Sequence, residues 1–264
     1  MRRKPLLLIL ALLLAAVAVV GALFGMNAMA QSPSGLSRAS VGIAPNPATT
    51  PEAVVQVYAA RAARWRGTFG VHCWIAVKPT GASEFTVYEV IGWRTLRGSP
   101  ALAISNREPD GRWFGNVPEL LADVRGPEVD DIIRRIDEGA RSYPYPDEYR
   151  VWPGPNSNTF VAHVLRQVPE LKVDMPPTAI GKDYLPTGQM FAETPSGTGY
   201  QVSVFGLAGL LVGREEGFEF NLLGLTFGYD FKNPALKLPL IGRVDFSNDL
   251  PQVAEQVAEA AERR

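Results

Sequence analysis

The sequence predicts an α+β fold: an antiparallel sheet with packed helices, preceded by an N-terminal signal or anchor helix and followed by a β-rich C-terminal extension. Three observations predict it. Two β-prone runs, 69–77 and 85–93, flank the turn chemistry of Pro79-Thr80-Gly81 and read as a hairpin. Between 127 and 167, apolar residues recur at helical spacing. From 200 to 246 the chain is punctuated by glycine and rich in residues that favour strands.

The elements follow in order. Arg2, Arg3 and Lys4 precede an uncharged run over 5–25, and Ala28-Met29-Ala30 fits a small-x-small cleavage pattern. About 20 apolar residues also span roughly 30 Å of hydrocarbon, so the segment is either a cleaved signal or a retained anchor. Both place the body outside the cytoplasm: anchored to the inner membrane, periplasmic or secreted. The Ser-, Pro-, Ala- and Gly-rich stretch 31–50 reads as a flexible tether. A helix is expected from Pro51 to Gly67, capped by Thr50, with Val54, Tyr58, Ala62 and Trp65 on one face. After the hairpin, 101–105 predicts a strand and 118–124 a short helix. The stretch 127–141 predicts a longer helix, with Val129, Ile132, Ile133 and Ile136 as its apolar stripe and acids in its first turn. A further helix is expected over 158–167. Strands are expected at 200–205, 218–223, 225–231 and 241–246, and a terminal helix over 250–264. The apolar 207–212 reads as a buried strand or turn, or as a stretch that meets a membrane surface. The domain reading is therefore 1–30 signal or anchor, 31–50 tether, 51–190 α+β core and 191–264 β-rich extension with a C-terminal helix.

Composition removes several function classes. Acidic residues number 27 against 26 basic ones, with no long basic run, so nucleic acid is not an expected partner. One cysteine, Cys73, permits no internal disulfide, and two histidines, His72 and His163, do not assemble an ordinary zinc site with it. No carboxylate spacing suggests an oxygen-ligand site, so no metal and no cofactor is expected. The expected partners are the cytoplasmic membrane, through the N-terminal segment, and an envelope peptide or lipid.

The chemistry-bearing stretch is Trp152-Pro153-Gly154-Pro155-Asn156-Ser157-Asn158-Thr159-Phe160. A Pro/Gly turn delivers Ser157 to the start of a helix, where unpaired N–H groups and the helix dipole favour negative charge. Ser157 is thus a cap or a nucleophile. On the first hairpin strand, His72 and Trp74 share one face and Cys73 takes the other. On the partner strand, Glu89 is a lone acid in an apolar row and needs a partner. A two-residue loop at Thr80-Gly81 places His72 opposite Glu89; a register offset of two keeps them on one face, and an offset of one separates them. His72 would then be the base and Glu89 its orienter, with Asn156, Asn158, Trp74 and Lys182 as candidate substrate contacts. Lys182 is either an alternative base or a turn lysine in water. His163 and Cys73 read as structural.

The stretches YRVWPGPNSNTF (149–160) and PPTAIGKDYL (176–185) resemble a bacterial envelope family known only as a domain of unknown function, over about 72–185. That resemblance implies an exported or membrane-anchored protein. The order His72, Glu89, Asn156-Ser157-Asn158-Thr159-Phe160 also resembles the circularly permuted branch of the NlpC-type papain-like superfamily, which includes lecithin retinol acyltransferase-like proteins. There a strand histidine, a polar residue and an Asn-Cys-x-x-Phe helix start occur in this order. Serine stands here where that superfamily has cysteine. The resemblance implies either a Ser-His-Glu amide or ester hydrolase or acyl transferase, or a catalytically silent binding and scaffolding fold.

Overall fold

The computed structural model describes residues 37–246. The chain is a mixed α/β protein with two antiparallel sheets and few helices. The N-terminal segment and the expected terminal helix over 250–264 lie outside the described residues. Among the described residues, no helix is long and apolar enough to cross a membrane.

The first sheet has five strands: β1 Val54–Arg61, β2 Val71–Lys78, β3 Thr86–Val90, β4 Leu102–Ser105 and β5 Glu119–Arg125. Their order is β4-β3-β2-β1-β5. Two helices, α1 Val129–Arg141 and α2 Ser157–Leu165, cover one face. Their apolar stripes, including Ile133, Ile136, Phe160 and Val164, join Val55, Val57, Cys73, Ile75 and Tyr88 in one core. The residues that alternate with these, among them Tyr58, Trp74, Ala76 and Val87, form a second core with Trp113 on the other face. On that side the short helix Gly92–Thr95 stacks Trp93 on Trp113. The segment 37–44 also covers it, bridging Ser40 to Gly111 and donating the Ile43 and Ala44 amides to Asp110 Oδ2 at 2.6 and 3.1 Å. Part of the expected tether is therefore a strap docked on the sheet.

Two sequence expectations are corrected. The helix expected from Pro51 is strand β1. Val54, Tyr58 and Ala62 do fall at helical spacing, but 53–60 is a nearly unbroken apolar run with β-branched Val54, Val55 and Val57. Such a run suits a central strand buried on both faces. Its one polar side chain is satisfied: Gln56 Nε2 donates to Asp123 and Gln56 Oε1 accepts from Tyr58. The short helix expected at 118–124 is edge strand β5. A bulge opposite Val57 and Tyr58 skips Leu121, which breaks the alternation that marks a strand.

The second sheet is a seven-stranded meander: β6 Phe191–Glu193, β7 Gly199–Val204, β8 Ala208–Gly213, β9 Gly217–Leu222, β10 Leu225–Asp230, β11 Ala235–Leu238 and β12 Gly242–Asp245. The β9–β10 hairpin turns on Leu223-Gly224, both at positive φ (54° and 78°), which is the two-residue turn that matches strand twist. The sheet is laid on the core with its polar side inward. Gln201, Ser203, Glu219, Asn221, Thr226 and Lys237 are buried. Val202, Leu210, Val212, Phe220 and Leu222 are exposed on the opposite face.

Candidate functional site

The central turn works as a structural hub. Asn156 caps α2: its Oδ1 accepts from the amides of Asn158 (2.9 Å) and Thr159 (3.2 Å), and Thr159 Oγ1 accepts from the Asn156 amide (3.1 Å), completing a capping box. Asn156 Nδ2 donates to the carbonyls of Val151 and Ile180. Asn158 ties the helix to β2, accepting from the Cys73 amide and donating to the Val71 and Ile180 carbonyls. Thr159 Oγ1 donates to Gly181 O at 2.8 Å. A side chain at Gly181 would lie 2.3 Å from Asn156 Nδ2, so only glycine fits there, at φ 95°. The two motif stretches, 149–160 and 176–185, are thus bonded to each other. The side-chain amides of Asn156 and Asn158 are committed to backbone groups.

Ser157 is buried at the first turn of α2, on the helix side of the sheet, with its hydroxyl beside the Tyr149 phenol. Tyr149 packs on the helix-side core and against Gly92. His72 lies on the other face. Its ring stacks on Trp113 at 3.7 Å and 11°, with Trp74 on from it at 5.7 Å. Among the described residues no hydrogen bond joins Ser157 to His72.

His72 and Glu89 do meet. The β2–β3 register pairs Ile75 with Tyr88 and Ala76 with Val87, so Glu89 stands opposite Trp74, two residues offset from the tight-loop register and on the same face as His72. The loop between the strands is longer than two residues, which accounts for the offset. His72 Nε2 donates to Glu89 Oε2 at 2.9 Å. Arg107 completes the carboxylate's partners, with Nε on Oε1 at 2.7 Å and Nη2 on Oε2 at 3.3 Å, and its guanidinium covers Trp74 at 4.8 Å. Burial alone would push the Glu89 pKa up; the His72 hydrogen bond and the Arg107 guanidinium outweigh it and hold it at about 2. Burial lowers the His72 pKa, with the Glu89 bond opposing, so the neutral imidazole donates to an ionised carboxylate whose counter-charge is Arg107.

Lys182 is not a turn lysine in water. It is buried, with Nζ bonded to Asp183 (3.0 Å) and Glu219. Burial works against its charge, but the two carboxylates prevail and raise its pKa, so it stays protonated, contrary to what a general base needs. Glu219 also accepts from Lys237, which reaches Asp174 at 2.6 Å. This ionic layer joins the second sheet to the core. Cys73 is buried among apolar groups, which raises its thiol pKa.

Sequence reasoning missed Arg107, Trp113 and Arg38. Glu89 required a cation, but Arg94 and Arg97 lie nearer to it in the sequence, and it is the β3–β4 pairing that brings Arg107, just beyond β4, to the carboxylate. Trp113 follows the Asp110-Gly111 turn, and nothing local aims it at His72. Arg38 sits in the strap, its guanidinium 4.5 Å from the rings of both Trp113 and Phe114. Among the described residues, no cluster of three or more His, Cys, Asp or Glu side chains could hold a metal ion.

This mixed α/β core, with its helix start bonded to β2 and to 176–184, defines one kind of domain, and the sequence comparison places it. Residues 52–184 match a family described as a protein of unknown function (DUF3750). The match spans just over half of the 264 residues, and the chain belongs to that family. No curated protein and no solved structure matches the chain.

Proposed function

We propose that the chain is a non-catalytic, membrane-anchored protein of the bacterial cell envelope that lies against lipid through the outward face of its seven-stranded sheet. One observation carries this reading: the face is apolar from β7 to β12. Directly paired residues share a face, and the pairs are Tyr200–Val212, Val202–Leu210, Leu210–Phe220, Val212–Phe218, Phe220–Phe227, Tyr229–Leu236 and Leu236–Val244. These six strands, of four to six residues each, present roughly 500 Å², within the range for the largest patch on a monomer. A sheet suits a lipid surface because its backbone groups are already paired laterally. The uncharged run 5–25 supplies the tie to the same membrane.

The core is a permuted papain-like fold in this reading, retaining the His72–Glu89 pair without a working nucleophile. What supports the silent form is the separation of Ser157, on the helix side, from His72, on the Trp113 side. A fluorophosphonate probe is expected to leave the chain unlabelled. Labelling that disappears in Ser157→Ala would instead establish the hydrolase.

The lipid contact is tested with cysteine labels. The one native cysteine, Cys73, is buried, so Leu210→Cys and Phe220→Cys take a polarity-sensitive fluorophore selectively. In the full chain reconstituted in phosphatidylglycerol–phosphatidylcholine vesicles, both labels are expected to shift to the blue and to be quenched from the acyl chains. A label at Glu138→Cys, on the exposed side of α1, stays aqueous. Aqueous quenching of the 210 and 220 labels in vesicles overturns the reading. Protection of those labels without lipid assigns the face to a second copy.

A further inference from the structure

The seven-stranded meander has two unlike ends. At one end its turns are polar: 194–198 reads Thr-Pro-Ser-Gly-Thr, 214–216 Arg-Glu-Glu and 231–234 Phe-Lys-Asn-Pro. Ser196 and Thr198 donate to Glu216 there, and Lys232 pairs with Glu215, so polar side chains tie the three turns together. Phe231 is the one large apolar side chain among them.

At the other end all three turns are apolar. They are Phe205-Gly206-Leu207 between β7 and β8, Leu223-Gly224 between β9 and β10, and Pro239-Leu240-Ile241 between β11 and β12. Phe205, Leu223 and Ile241 are each more than half exposed. Phe205, Leu223 and Leu240 also hold φ of 51°, 54° and 66°, the left-handed region that hairpin turns normally give to Gly, Asn or Asp. Asparagine at these positions would relieve the backbone strain and the apolar exposure together. The tips therefore carry bulky apolar groups where backbone and water both favour small polar ones.

Two neighbours extend this end. Trp152, half exposed beside Val151, donates its Nε1 to Leu223 O at 2.9 Å. Arg61 links the turn before β2 to the third tip, with Nη1 on Gly67 O at 3.3 Å and Nη2 on Ile241 O at 2.9 Å. That turn exposes Trp65 and Phe69 together with Arg64 and Arg66. Among the described residues neither Arg64 nor Arg66 forms an ion pair. No acid occurs in 61–70, 199–213, 220–229 or 234–244, the stretches that build this end. Apolar tips with tryptophans beside them and unpaired arginines nearby match an anionic lipid interface. Hydrocarbon takes the tips, the headgroup layer takes the indoles, and lipid phosphates take the guanidinium groups.

We propose, resting on the lipid-facing reading above, that this end of the sheet enters the bilayer, so that the sheet leans tip-first into an anionic membrane. Phe205, Leu223 and Ile241 lie deepest, and Arg64 and Arg66 lie at the headgroups.

The test measures depth with the same polarity-sensitive fluorophore. Phe205→Cys, Leu223→Cys and Ile241→Cys place it at the tips, and Val212→Cys and Phe218→Cys place it at the far ends of β8 and β9, all at exposed side chains. Each full-chain variant, once its circular dichroism spectrum matches the wild type, is reconstituted in phosphatidylglycerol–phosphatidylcholine vesicles. The vesicles carry a spin-labelled lipid quencher, either near the headgroup or near the acyl-chain end. Leu223 and Phe218 lie about 17 Å apart along the strand, so a lean of only about 20° sets them about 6 Å apart in depth. The tip labels are expected to be quenched more by the deep spin label, and the 212 and 218 labels more by the shallow one. Replacing phosphatidylglycerol with phosphatidylcholine, or combining Arg64→Gln with Arg66→Gln, should move the tip labels toward the headgroups.

Equal depths at all labelled positions overturn the lean and leave the flat, lipid-facing sheet standing. Tip labels in water with the 210 and 220 labels in lipid do the same. Tip labels in the acyl chains with 210 and 220 in water support tip entry and overturn contact through the face. All labels in water overturn both. Tip depth indifferent to both charge changes overturns the headgroup role of the arginines. Protection of the tip labels without lipid overturns the proposal and assigns this end to a second copy.

Discussion

Glu219→Ala is expected to be the most damaging single change in the described chain, costing about 3–5 kcal/mol of unfolding free energy. Glu219 is almost fully buried and is shared by Lys182 and Lys237, whose side chains are 4% and 1% exposed. Removing it leaves two buried ammonium groups with Asp183 and Asp174 as their remaining carboxylates. The penalty comes from stranding charge, not from losing a favourable pair. Urea unfolding followed by far-UV circular dichroism checks it. Added salt should change the wild-type midpoint little, because the layer is shielded from solvent ions. A loss below about 1 kcal/mol, the range of a surface ion pair, would mean that water reaches this layer.

Glu89→Gln is expected to cost about 3 kcal/mol at neutral pH and to flatten the acid limb of the stability curve. A carboxyl held at about 2 instead of its ordinary 4.5 contributes about 3 kcal/mol. The sign follows from proton counts. Between those two values the unfolded chain binds the proton and the folded chain does not, so the contribution is complete above pH 4.5 and is lost as pH falls toward 2. His72 acts in the same direction. Burial depresses it below 6.5, so acid protonates the unfolded chain first and stability begins to fall below pH 6.5. Thermal unfolding of both proteins from pH 7 to pH 3 checks this. The wild type should lose stability in two overlapping stages, and the variant should lack the lower one. A parallel decline in both would assign the acid limb to other groups.

Where local pattern and tertiary setting agreed, the fold was legible in the sequence. The α1 stripe of Val129, Ile132, Ile133 and Ile136 is buried as its spacing predicts, and the alternation of Phe218, Phe220 and Leu222 marks β9. Strand β1 was not legible, because a fully buried strand loses the alternation that distinguishes it from a helix. Strand β5 was hidden by its bulge, and β6 and β11 are too short to carry a period. At the candidate site, the shared face of His72 and Glu89 follows from strand alternation once the register is even-offset, as the Ile75–Tyr88 pairing makes it. Arg107 and Trp113 arrive from loops whose paths no local rule states. Lys182 illustrates the limit most clearly. Gly181-Lys182-Asp183 has the composition of an exposed turn, and its burial depends on Glu219, thirty-seven residues on. The alternation in β9 shows that one face is apolar and one polar, but not which of them the core takes.

That last point bears on how the second sheet forms. Strand parity means that a slip of one residue exchanges its two faces. In the slipped arrangement Phe220 and Leu210 would turn inward and Glu219 and Asn221 outward, the arrangement that bulk water favours. The native register therefore competes with an off-register hairpin array that is more at home in water. What opposes the slip is the Leu223-Gly224 turn together with the Lys182–Glu219–Lys237 layer, which has partners in one register only. In this competition the environment around the nascent sheet becomes part of the folding code: an apolar phase beside it rewards the native pairing, and an aqueous one rewards the kinetic trap.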